Sequence, residues 1–110
     1  MIFAEAVAAL RAPALVSNDQ LQYVAVNDAA ATFLGYDREA LLELRVNEIV
    51  EKPREYLVGE TQKLERSLYR AGSTGVHRRK GDLVPVNFVS LRTDIAKLPH
   101  VLTLLGTPPS

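Results

Sequence analysis

The residues able to do chemistry are few, and they do not converge. His77-Arg78-Arg79-Lys80 is the one concentrated basic run, and such a run can hold phosphate by charge attraction. It adjoins a Gly81-Asp82 turn and has no interleaved aromatic residues, so a solvated strand that resists edge pairing explains it better. Ser73-Thr74-Gly75 lacks the strand–loop–helix setting of a phosphate-binding loop. Glu48, Glu51, Glu55 and Glu60 have no histidine near them in sequence and read as charges on the surface of helices. Cysteine is absent, which removes disulfides, thiolate nucleophiles and cysteine-held metal together. No nucleophile stands beside a base, so the chain is not expected to be an enzyme.

Length and charge narrow the class further. A chain of 110 residues suits one domain that buries roughly 65% of its unfolded surface. Thirteen basic and thirteen acidic residues cancel, so no overall field draws nucleic acid or an anionic membrane. Glu5 and Arg11 interrupt the apolar start MIFAEAVAALRAPAL, and no window approaches the roughly 18 apolar residues of a membrane span. The expectation is a soluble, cytoplasmic domain with neither nucleic acid nor membrane as a direct partner.

The elements that position these residues follow from periodicity. Ile2, Phe3, Ala6, Val7 and Leu10 share one side of a helix that Pro13 stops, giving an amphipathic N-terminal segment over 1–12. Ala14–Val16 and Leu21–Val26 read as a hairpin around Ser17-Asn18-Asp19. Asn27 or Asp28 caps a short helix that Gly35 ends. Asp37 caps DREALLEL, and Asn47 is placed to cap NEIVE. A longest helix is predicted from Pro53 to Gly72, striped by Leu57, Thr61, Leu64 and Leu68 and weakened at Gly59. Thr74–Lys80 and Leu83–Thr93 pair around Gly81-Asp82, Asp94–Pro99 turns, and Val101–Leu105 is the last strand. Residues 107–110 read as a linker or tail.

The late strands are apolar on both sides. Val84, Val86 and Phe88 face one way while Val89 and Leu91 face the other, and Leu102 and Leu104 oppose Val101 and Leu105. A sheet with one wet face would be polar there, so something must cover the second face. The amphipathic segment of Ile2, Phe3, Ala6, Val7 and Leu10 is the expected cover, on its own sheet or on a partner's. Val89 and Leu91 then belong to a dimerisation surface.

The order β-β-α-α-α-α-β-β-β, with VAVN at Val24–Asn27, FLGY at Phe33–Tyr36, the DREALL helix and RRKGD before the penultimate strand, resembles a PAS domain. The resemblance covers about residues 14–106. It implies an α+β fold in which a five-stranded antiparallel sheet carries helices on one face and the amphipathic N-terminal helix on the other. It also implies a sensory or dimerisation domain that regulates an output domain such as a histidine kinase, a cyclase or a transcription regulator. No such output domain lies in these residues, so the reading is a fragment or a stand-alone sensor, expected as a homodimer.

The cofactors that such domains hold find few suitable residues here. Flavin photochemistry and a coumarate chromophore both need a cysteine. Haem needs an axial ligand, yet residues 37–72 contain no histidine, and His77 and His100 lie on a strand and in a turn. Tryptophan, frequent around non-covalent flavin in that family, is also missing. The expectation is no cofactor, with a small apolar ligand left as the candidate. Its pocket would be lined by Val26, Leu34, Tyr36, Ile49, Leu57, Thr61, Leu64, Val86, Phe88 and Leu102, with Thr61 and Asn87 the scarce polar groups near it, although parity turns Asn87 outward. Three functions stay open: a ligand-binding sensory domain, a structural dimerisation module with a filled core, and a haem- or flavin-bound sensor.

Overall fold

A computed structural model describes residues 10–64, 67 and 69–106. Among them the elements are β1 (Ala14–Asn18), β2 (Tyr23–Val26), α1 (Asp28–Leu34), α2 (Arg38–Leu41), α3 (Val46–Ile49), α4 (Arg54–Lys63), β3 (Tyr69–His77), β4 (Leu83–Ile95) and β5 (Leu98–Gly106). The strands form one antiparallel sheet in the order β2-β1-β5-β4-β3. The amphipathic helix expected over 1–12 lies mostly outside the described residues, as do Ile2, Phe3, Ala6 and Val7. Residues 10–13 are irregular, and Leu10 is exposed.

Short helices begin and end where local chemistry demands. Asn27 Oδ1 accepts the Ala30 N–H at 2.9 Å, and Gly35, at φ 82°, donates its N–H to the Ala31 carbonyl. Both ends of α1 are therefore closed within seven residues. The other two predicted caps need correction. Asp37 stands at the start of α2 without a side-chain capping bond. The cap position of α3 is Arg45 and not Asn47, because Arg45 pairs with Gln22 and the Val46 N–H donates to the Leu21 carbonyl at 2.8 Å. Asn47 falls inside α3, its Oδ1 buried and unpartnered.

The longest helix is shorter than expected. It stops at Lys63, and Gly72 lies within β3 opposite Phe88. The β3–β4 hairpin runs in unbroken register from His77↔Leu83 to Tyr69↔Leu91, so pairing claims residues that a helical stripe had claimed by pattern. Gly72 serves close approach there: a Cβ would sit 3.3 Å from the Phe88 ring. Leu68, the last residue of the predicted stripe, lies outside the described residues.

Two turns also differ. Strand β3 ends at His77, and Arg78–Asp82 form the loop, with Gly81 at φ 101°. The Arg78 guanidinium packs 5.9 Å from the Phe33 ring and 3.8 Å from Asp82, while the Arg79 N–H donates to the Leu34 carbonyl. Half of the basic run thus seals the end of α1 and is not a solvated strand. Between β4 and β5 the turn is only Ala96-Lys97, at φ 52° and 67°, where L-residues other than Asn and Gly are strained. Replacing Ala96-Lys97 by Asn-Gly is expected to raise stability by about 1 kcal/mol, read as a higher denaturation midpoint. An unchanged or lower midpoint would count against a strained turn.

The core is the space between the concave face of the sheet and α1–α3. Leu15, Tyr23, Val26, Ala30, Leu34, Leu41, Ile49, Val76, Val86 and Leu105 are buried there in one cluster. The outer face carries a second cluster in which Ala14 and Val16 are fully buried, with Ala25, Ile95, Leu102 and Leu104 against them. The expectation of a sheet apolar on both sides is correct. Val89 and Tyr69 on that outer face remain exposed.

Candidate functional site

Helix α4 stands off from the sheet. None of its residues is buried, and a Cβ at Gly59 would meet nothing within 4 Å. Pro53, expected as its first residue, is instead the cap position before Arg54 and offers no side-chain cap. Between α4 and the concave face lies a hollow of about 240 Å³. Leu57, Thr61 and Leu64 line it from the helix side, Ile49 and Val50 from α3, and Leu15, Phe88, Val101, Thr103 and Leu105 from the sheet.

The structure sorts the predicted pocket residues into three groups. Ile49, Leu57, Thr61, Leu64 and Phe88 line the hollow. Val26, Leu34 and Val86 are buried in the filled core beside it, and Tyr36 packs on the edge of that core. Leu102 is a correction: it lies on the outer face, since it pairs with Val16 and Leu91 and alternates with Val101 and Thr103. Val89 and Leu91 do face away from the hollow, as their parity required. Thr61 is placed as expected, but its hydroxyl donates to the Leu57 carbonyl at 3.0 Å and serves its own helix.

Most other polar groups of the hollow were missed in the sequence. Ser90 and Thr103 pair across β4 and β5, and their hydroxyls share a hydrogen bond of 2.9 Å. Thr74 Oγ1 is buried without a partner. Arg70 of β3 reaches over to α4 and pairs with Glu60 Oε2 at 2.7 Å, and Lys63 approaches Glu60 Oε1 at 3.4 Å. Lys52 and the exposed Tyr56 complete the rim, the ammonium 5.3 Å from the ring. Burial, with the Glu48 charge adding to it, pushes the Tyr23 phenol above its ordinary pKa, so it lines the hollow as a neutral group. Parity was the available signal, because Ser90 shares a face with Phe88.

Neither histidine lines the hollow. His77 is exposed at the end of β3, and His100 Nδ1 lies 2.9 Å from the Leu98 carbonyl. Among the described residues there is no cluster of three His, Cys, Asp or Glu fit for a metal. Nor is any helix among them long and apolar enough to cross a membrane.

No family model matches the sequence, and no curated protein matches it. Solved structures do. The PAS domain of an HTR-like protein from Haloarcula marismortui superposes with a TM-score of 0.84 at 17% identity, covering 94% of this chain and 87% of that one. The PAS domain of nitrogen regulation protein NR(II) from Vibrio parahaemolyticus gives 0.77 at 12% identity over 98% and 99%. A PAS domain in complex with ethanol, from a LuxR-family transcriptional regulator of Burkholderia thailandensis, gives 0.72 at 17% identity over 93% and 94%. With the strand order and helix placement described above, these likenesses show that the chain has the PAS fold.

Proposed function

We propose that this chain is a sensory domain that binds a small molecule in the hollow under α4 and passes its occupancy to an output domain. One observation carries the reading: the hollow of about 240 Å³ lies against α4, which among the described helices is the one with no buried residue. A space of this size exceeds the roughly 150 Å³ cavity that accepts benzene, so a ligand of modest size fits. The likeness to domains of a sensor kinase and a transcriptional regulator, one of them holding ethanol, supports the same reading. Occupancy would favour one seating of α4 over another, a shift of population between two packings. The half-open outer face, with Val89 exposed on it, supports a homodimer as the signalling unit; a cytoplasmic location belongs to the same proposal. The reading assigns no reaction to the chain.

Native mass spectrometry after incubation with a metabolite extract tests this. A small non-covalent adduct is expected on the wild type and not on Ser90→Leu, whose side chain fills the floor of the hollow. The bare chain mass alone for each of the two proteins, with no adduct on either, would refute ligand sensing and leave a structural module.

A further inference from the structure

The register of the sheet lines up a row across the floor of the hollow. Leu15 of β1 pairs with Thr103 of β5, Thr103 with Ser90 of β4, and Ser90 with Arg70 of β3. Paired residues share a face, so two hydroxyls and a guanidinium run in line from mid-sheet to the edge. The adjacent row, Leu105–Phe88–Gly72, is apolar. A guest lying along the boundary meets hydrogen-bonding groups on one flank and hydrocarbon on the other.

These polar groups mostly offer hydrogens. The Ser90 and Thr103 hydroxyls share one bond, so one O–H remains to donate whichever way that bond is directed. Thr74 Oγ1 has no partner. Arg70 carries five N–H donors, and Lys52 stands at the rim. The charged side chains lining the hollow are Lys52 and Arg70 against a single carboxylate, Glu60, among the described residues. Glu60 also has Lys63 at 3.4 Å, so it keeps a cation if Arg70 turns to another anion.

We propose that the hollow takes a small monocarboxylate with an apolar body, its carboxylate held by Arg70 in place of Glu60 and its body against Phe88, Leu57 and Leu105. The inference rests on the sensory reading above and names the ligand class. Scaling from the roughly 150 Å³ cavity that accepts benzene, the guest has roughly ten non-hydrogen atoms. Because Arg70 and Glu60 join β3 to α4, an anion that takes Arg70 also loosens the tie between helix and sheet.

Calorimetric titration of the whole chain with octanoate, octan-1-ol and octylamine tests the claim, since the three probes differ only in the head group. Octanoate is expected to bind about tenfold more tightly than octan-1-ol, the scale of a charge-assisted hydrogen bond. Arg70→Gln is expected to erase that preference. Glu60→Gln removes the competing carboxylate and is expected to tighten octanoate several-fold. If octan-1-ol or octylamine binds as well as octanoate, or Glu60→Gln weakens octanoate, the anion assignment fails while a ligand site stands. If none of the three probes binds, the monocarboxylate assignment falls, and the sensory reading then stands or falls on the native mass measurement alone.

Discussion

Asn27→Ala is expected to destabilise the fold by roughly 2–4 kcal/mol, a cap loss compounded by buried backbone groups left without partners. The side chain is 1% exposed and joins three segments. Its Oδ1 accepts N–H bonds from Ala30 at 2.9 Å and Ala14 at 3.0 Å, closing α1 and the start of β1. Its amide donates to the Ala12 carbonyl at 2.8 Å and the Leu10 carbonyl at 3.1 Å, tying down the chain that leads into the sheet. Urea denaturation reads the loss. Asn27→Ser separates the two roles: a hydroxyl restores the helix cap, worth about 1 kcal/mol, but cannot reach Leu10 and Ala12. A serine variant as stable as wild type would show that the tether contributes nothing.

Leu34→Ala and Leu57→Ala should behave as opposites, although both were read as pocket residues. Leu34 is fully buried in the filled core between α1 and the sheet, so its truncation is expected to cost roughly 2–5 kcal/mol through lost burial and a new cavity. The folded protein should still bind octanoate with wild-type affinity. Leu57 is only partly buried on α4, and its loss is expected to cost about 1 kcal/mol or less. It lines the hollow, however, so octanoate affinity should fall several-fold. Denaturation and titration of the two variants check both halves. Equal effects on binding would mean that core and hollow are not distinct.

What the sequence revealed was mostly local. Asn27 beside an Ala-rich run, Gly35 after Leu34 and Gly81 before Asp82 act within a few residues of themselves, and each acts as expected apart from the length of the loop. The two-faced character of β4 and β5 was legible because strand parity has a strict period. Parity alone does not say which face is concave, and Leu102 was placed on the wrong one. Gly72 illustrates the other difficulty. A glycine after a helical stripe and a glycine beneath an aromatic ring in a strand look identical until Phe88 is known to lie opposite. The second function of Asn27 was hidden for the same reason, since Leu10 and Ala12 come to it only once the sheet has formed. Glu60 was read as a surface charge and Arg70 drew no reading at all, since their pairing appears only once residues 69–77 are a strand facing α4.

Thr61 and Leu64 also border a second space of about 170 Å³, enclosed with Asp19, Arg92 and His100. The α4 helix is therefore a partition between two chambers and not the roof of one. Sliding it sideways enlarges one compartment as it shrinks the other, without lifting it from the sheet. The room for a guest on one side is thereby tied to the room on the other through the position of a single wall.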